Sequence, residues 1–323
     1  MAITPLLAFK TRAVRTEDPG IGTTFERPLE RVMARDGKFH VDRIGQVSGL
    51  REGFVALATM PVWRLVLTFV FGYLTMNLIF GSLYMLVGVE HLGNADHTSW
   101  MTEWISAIGM SVQTLTTVGY GSLYPNSPAT WLLAAVEGVF GILGFSLISA
   151  VIYARFARPT TRIAYGDKAL IAPFKEGWSF QLRMANRRTS LLMEVEARLM
   201  LVMADVDDQG ERLNYYNLKL QLDKVSFLPL SWTIVHPITP ESPLAGISYE
   251  EMIQRRAEVI LVLKAIDEGY MQQVITRHSF RFDEIVWGGR YVRAFTSKDG
   301  SMRLDLNKLS DFTPVEAPDR LPT

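Results

Sequence analysis

The residues whose types and spacing could do chemistry are Thr117-Val118-Gly119-Tyr120-Gly121, which follow Thr114-Leu115-Thr116. Their chemistry is coordination by the main chain. A K⁺ ion stripped of water needs a cage of oxygen atoms in place of its hydration shell, and stacked rings of backbone carbonyls supply one. Gly119 and Gly121 matter because alternate residues must reach conformations that carry a Cβ penalty elsewhere. Thr117 adds a hydroxyl at the inner end, and Tyr120 is placed to brace the loop from behind. One copy gives a quarter of a cage, so the pentapeptide implies four chains around one axis. Taken alone, the same five residues also fit an ordinary glycine-containing turn, and the flanks decide.

The flanks are those of a membrane pore. Between Arg64 and Arg155 there is no Lys or Arg, and the gap holds two apolar runs, Leu65–Val87 and Trp131–Tyr153. A spanning helix needs about 20 apolar residues. Trp100–Leu115 is too short to cross and reads as a half-helix that enters the membrane and ends at the loop. Its C-terminal end, with partial negative charge, favours a cation there. Ser122–Pro125 carry the chain back out. In the second run Gly138, Gly141 and Gly144 permit either close packing or a bend. Glu137, costly at membrane depth unless it faces protein or water, reads as support for the filter. Before the first run, Leu50, Phe54 and Leu57 make an amphipathic helix that Pro61 ends, predicting a segment lying in the membrane interface.

A 48% hydrophobic, 20% charged chain of 323 residues fits a mixed membrane and soluble protein. Net charge is zero, which suggests no bulk attraction to nucleic acid, and no cysteine is available for disulfides or thiolate metal sites. Residues 1–48 mix charges with Pro and Gly and hold no apolar h-region, so a cleaved signal peptide is not expected. Within them, Phe39–Ile44 alternates weakly, as an added edge strand would. Arg155, Arg158, Arg162 and Lys168 follow the second run. Positive-inside asymmetry then places both termini in the cytoplasm. The cluster either sets topology or attracts anionic headgroups at about 1 kcal/mol each. Both roles are compatible.

Beyond Lys168 the pattern changes to short strands: 169–174, 178–186, 194–205, 213–222, 230–236, 258–264, 272–280 and 285–295, with a short helix at 248–256. Regular spacing of this kind predicts an all-β sandwich. No nucleophile–base, metal-ligand or phosphate-loop pattern stands out there, so no enzyme is expected. His236 and His278 read as structural. The domain reading is an N-terminal segment (1–48), an interfacial helix (49–60), a pore domain (61–156) and a cytoplasmic β-domain (157–323).

These residues resemble the inward-rectifier potassium channels of the prokaryotic KirBac type. Val41–Gly45, the filter loop, Ala154–Pro159, Ser231–Thr233 with His236–Ile238, and Asp283–Tyr291 carry the resemblance. It implies a homotetramer in the bacterial inner membrane. Each subunit would have a slide helix, outer helix, re-entrant pore helix, inner helix and an immunoglobulin-like sandwich that extends the pore. It implies K⁺ as permeant ion, with no cofactor. Tyr153 would be the bundle-crossing constriction and Gly269-Tyr270-Met271 the cytoplasmic one, with Glu268 beside it as a cation-attracting ring. Arg155, Arg158, Arg162 and Lys168 would meet phosphoinositides. Gly141 and Gly144 stand as the inner-helix hinge. Two departures matter. Phe145 occupies the site of the acid in strongly rectifying relatives, so block by Mg²⁺ or polyamines should be weak. Gln113 replaces the pore-helix Glu and Ser122 the aromatic–Arg pair. Filter support then falls to other contacts, among them Thr116 and Glu137. Rival readings are a poorly selective cation pore and a membrane-anchored sandwich sensor.

Overall fold

The structure, a computed structural model, describes residues 15–25, 31–39, 41, 44–45, 49–157, 162–207, 210–298 and 300–323. The chain divides into two compact units, Ile44–Arg158, and Met1–Arg43 together with Pro159–Thr323.

The first unit is helical. Helix α1 spans Leu50–Thr59 and stops at Met60. Pro61, with no N–H to extend a helix, becomes the N-cap of α2, Val62–Val87. Helix α3 covers Trp100–Leu115 and α4 covers Pro128–Phe156. At 1.5 Å per residue, the 26 residues of α2 and 29 of α4 make rods of about 39 and 43 Å, long enough to cross a hydrocarbon layer. Both long helices begin about a turn earlier than hydropathy alone indicates. For α4 the reason is local. Ser127 caps Thr130 in a reciprocal capping box, and Pro128 takes the first helical position. Ser99 and Thr102 cap α3 in the same way. Phe80 and Tyr84 of α2 pack with Ala107 and Met110 of α3 and with Val89 and Leu92 of the outer loop.

The second unit is a β-sandwich. A six-stranded sheet runs Thr24–Phe25, Gly210–Leu218, Leu192–Asp207, Glu258–Asp267, Gln272–Arg281, with Lys224–Phe227 also on the long strand Leu192–Asp207. The five-stranded sheet opposite runs Ser231–Pro237, Gly177–Asn186, Ala169–Phe174, Ile285–Trp287, with Ile163–Tyr165 also paired to Gly177–Asn186. Phe180, Leu182, Leu201, Leu261 and Phe280 fill the space between them. Helix α5, Tyr249–Gln254, carries a third serine capping box at Ser248.

One expectation is corrected here. The run read as one strand over 285–295 is broken into Ile285–Trp287 and Gly289–Tyr291, with the next strand starting at Phe295. The break falls at Gly288, whose φ of 95° leaves the extended region just after its N–H has closed the parallel pairing of Trp287 with Ile171 (3.1 Å). Residues of the N-terminal segment join the sandwich. Thr24–Phe25 pair with Glu211–Arg212, and Arg31 bonds to Ser279 and to Glu284 (2.9 Å). The buried carboxylate of Glu258 accepts the Val32 and Met33 N–H groups at 2.7 and 3.3 Å. Half of the edge strand expected at Phe39–Ile44, residues 40, 42 and 43, falls outside the described residues.

Candidate ion pathway

The five loop residues sit where α3 runs out. The Thr116 N–H still closes onto Val112 (3.1 Å), Thr117 onto Thr114 (3.0 Å), and the Gly119 N–H reaches back to the Gln113 carbonyl (3.2 Å). The last turn of the helix therefore dictates the start of the loop. Thr117, Gly119 and Gly121 have φ of 58°, 56° and 75°, while Val118 and Tyr120 do not enter the left-handed region. The alternation read from the two glycines is present, and Thr117 joins it. A β-branched residue there is strained, and the surrounding bonds must hold it. Tyr120 is 81% exposed, so the bracing read for it is not made within one protomer.

The residues behind the loop form a polar scaffold inside an apolar unit. Gln113 donates from Nε2 to the Leu123 carbonyl (2.8 Å), tying the helix to the chain that returns after the loop. That return is pinned again where Leu92–Gly93 pairs with Tyr124–Pro125 and the Asn126 N–H meets the His91 carbonyl (2.8 Å). Thr116 turns its hydroxyl onto Val112 of its own helix (2.7 Å). Glu137, fully buried, makes its hydrogen bonds to neighbouring helices. It lies 2.9 Å from the Tyr84 hydroxyl and 2.5 Å from that of Ser111, which is also 3.1 Å from Asn77 Oδ1. Glu137 thus joins α4 to α2 and α3. Tyr84, Ser111 and Asn77 were missed by sequence reasoning. All three look like ordinary helix residues, and only their arrival at one buried point marks them.

Along α4, Phe145 and Tyr153 present rings that are 74% and 75% exposed in one protomer. The helix runs unbroken through Gly141 and Gly144. The two glycines differ. A Cβ at Gly141 would lie 2.4 Å from the Leu115 carbonyl oxygen, whereas at Gly144 it would meet nothing within 4 Å. Close packing is therefore realised at Gly141. At the cytoplasmic end of α4, Arg155 donates from Nη1 to the Met60 carbonyl (2.7 Å), the C-cap of α1.

In the sandwich, Glu268–Met271 form the turn between strands Glu258–Asp267 and Gln272–Arg281. Asp267, almost wholly buried, shapes it by accepting the Gly269 N–H (2.9 Å), and the Glu268 N–H meets the Leu191 carbonyl (3.1 Å). Met271 has φ of 49° and projects outward. Of the cationic residues that follow α4, Arg158 lies outside the described residues. Arg162 is exposed, with its carbonyl accepting the Arg187 N–H, and Lys168 is half-buried and bonds to the Asp283 carbonyl (2.9 Å). The two histidines are internal. His236 is held between the Lys219 carbonyl (2.7 Å) and the Ser242 hydroxyl (2.8 Å). His278 stacks on Tyr165 at 4.2 Å, and burial, with the Arg35 charge next, lowers its pKa to about 4.

Comparison with known proteins places both units. Residues 63–158 match the profile described as an ion channel, and residues 163–321 that of the inward rectifier potassium channel C-terminal domain. The inward rectifier potassium channel Kirbac3.1 of Paramagnetospirillum magnetotacticum is 32% identical over 287 residues, 87% of this chain and 95% of that protein. ATP-sensitive inward rectifier potassium channel 15 of Mus musculus is 28% identical, over 91% of this chain and 84% of its own length. G protein-activated inward rectifier potassium channel 2 of the same species is 25% identical, over 91% and 74%. Similarity of this extent, carried through the pore helices and the all-β unit alike, means that the chain belongs to the inward rectifier potassium channel family, of the prokaryotic KirBac type.

Proposed function

We propose that four copies of this chain surround one axis and conduct K⁺ selectively and passively, with Thr117–Tyr120 supplying the carbonyl and hydroxyl rings and Gly121 closing the loop. The observation that carries the reading is the alternating left-handed backbone at Thr117, Gly119 and Gly121, set at the C-terminal end of a half-helix. That backbone turns successive carbonyls toward one side, and the helix end adds negative potential for a cation. Gln113, Thr116 and Glu137 hold the scaffold. The exposed rings of Phe145 and Tyr153 face the axis, and Tyr153 closes it by excluding water at the inner crossing. Gly269–Met271 form a second constriction, with Glu268 drawing cations to it. Residues 49–60 act as slide helix, 61–156 as pore and 157–323 as regulatory domain. Both termini are cytoplasmic, in the bacterial inner membrane.

Gating couples the sandwich, slide helix and inner-helix crossing, and the Arg155–Met60 bond is the direct link between the last two. Anionic lipids act through Arg155, Arg158, Arg162 and Lys168. Phe145 offers no charge to Mg²⁺ or polyamines, so rectification is weak. The full-length protein in liposomes takes up Rb⁺ in a Ba²⁺-sensitive manner, and Gly119→Asp abolishes the uptake. Equal permeation of Na⁺ and K⁺ overturns the selectivity reading. Neutralising Arg155, Arg158 and Lys168 together weakens the response to phosphoinositide-containing liposomes. An unchanged response leaves the cluster with topology alone.

A further inference from the structure

We propose that Glu137 is an uncharged carboxylic acid whose proton locks the pore helix to its two neighbours, which makes it a positioning residue for the filter. The argument is a count of protons. Asn77 Nδ2 donates to the Tyr73 carbonyl at 2.8 Å, and this fixes the amide so that Oδ1 faces Ser111 Oγ at 3.1 Å. An amide oxygen only accepts, so the single hydroxyl proton of Ser111 is committed to Asn77. Ser111 Oγ also lies 2.5 Å from Glu137 Oε1. With the serine proton used, that contact is a hydrogen bond only if the carboxyl group supplies the proton. The other oxygen, Oε2, accepts from the Tyr84 hydroxyl at 2.9 Å, as the carbonyl of an acid does. Every donor in the series then has an acceptor: Glu137 to Ser111, Ser111 to Asn77, Asn77 to Tyr73, and Tyr84 to Glu137.

An ionised Glu137 breaks this series. Ser111 would have to turn its proton to the carboxylate, leaving two oxygens with facing lone pairs at Asn77, in a site where all three side chains are buried. Among the described residues no cation lies within ion-pair distance of Glu137. On the helices packed there, α2 carries only Arg64, α3 only Glu103 and α4 otherwise only Arg155. By helical rise these lie about 30, 12 and 27 Å along their axes from Tyr84, Ser111 and Glu137 respectively. The Thr114 hydroxyl lies beside Tyr84. Ser111 stands two residues before Gln113, which anchors the returning strand, so the proton on Glu137 and the geometry of the loop are joined through one helical turn.

The inference rests on the filter reading of Thr117–Gly121, and its test separates the two. Infrared spectra of the full-length protein in liposomes at neutral pH carry the carbonyl band of a protonated carboxylic acid, and Glu137→Gln removes it. In K⁺/Na⁺ flux, Glu137→Gln keeps a donor for Ser111 and an acceptor for Tyr84, so it retains wild-type selectivity. Glu137→Ala leaves buried polar groups unpaired and loses about tenfold in K⁺ preference. Absence of the band, or a Glu137→Gln variant as impaired as Glu137→Ala, overturns the assignment. The band does not depend on conduction, so a protein that shows it but passes Na⁺ and K⁺ equally loses the filter reading and keeps the acid.

Discussion

The two units of this chain invert each other. In the helical unit the large apolar side chains of α2 and α4 point outward, Phe71 being 74% exposed, and the buried positions include Asn77, Ser111, Gln113, Thr130 and Glu137. In the sandwich Phe180, Leu182, Leu201 and Phe280 are buried between the sheets, and most charged residues lie outside, with Arg183, Glu258 and Asp267 as buried exceptions. The same physics produces both. Lipid tails are as apolar as leucine, so burying an apolar side chain between helices gains nothing from water release, and polar contacts and close packing take over the task of specificity. Where the surroundings are water, removing apolar area from it is the main driving force.

The sharpest way to break that comparison is a pair of phenylalanines. Phe180→Ala should cost the sandwich about 3–5 kcal/mol, while Phe71→Ala, facing lipid, should cost under about 1 kcal/mol. Denaturation in detergent, read by the β-sheet and helical signals separately, measures both. Equal losses would mean that α2 is packed against protein on that face. The next effect belongs to His278. Burial holds its folded pKa near 4, below the ordinary 6.5. Between those values the unfolded chain takes up a proton that the folded one refuses, so stability falls as pH drops from 6.5 toward 4 and is flat above. The loss is on the order of 2–3 kcal/mol. His278→Phe keeps the stack on Tyr165, removes the buried Nε2 that has no partner, and should flatten the acid slope of the unfolding curve. The smallest effect is expected at the surface of the same sheet, where Arg198 pairs with Glu196 at 2.7 Å in the open. Arg198→Ala should change stability by no more than about 0.5 kcal/mol, and a midpoint shift well beyond that would place the pair inside an interface.

How much could be read in advance followed the range of the forces involved. The helices α1 and α3 were legible almost to the residue, because their limits are set by neighbours: Pro61 after α1, and Ser99 before α3. The loop after α3 was legible because only glycine tolerates its backbone cheaply at two positions. Thr117 in the same conformation was not, since nothing in a threonine announces it. The partners of Glu137 come from positions 26 and 53 residues away, and the Leu123 carbonyl that Gln113 finds lies across the filter. Such contacts exist only after the helices have packed. The strand over 285–295 failed at one residue, as its alternation is real but Gly288 takes a φ of 95° that ends the extended run.

The contact between Gly141 and the Leu115 carbonyl has a mechanical consequence for the gating proposed above. It divides α4 into a bearing and an arm. The outer half is seated on the end of the pore helix and cannot swing without disturbing the loop, whereas the run from Gly141 to Phe156 extends about 22 Å beyond that fulcrum. With open space at Gly144, a tilt of about 10° there would carry the tip, about 18 Å further on, through about 3 Å. The inner mouth of such a lever can open and close while its pivot, and the residues seated on it, stay still.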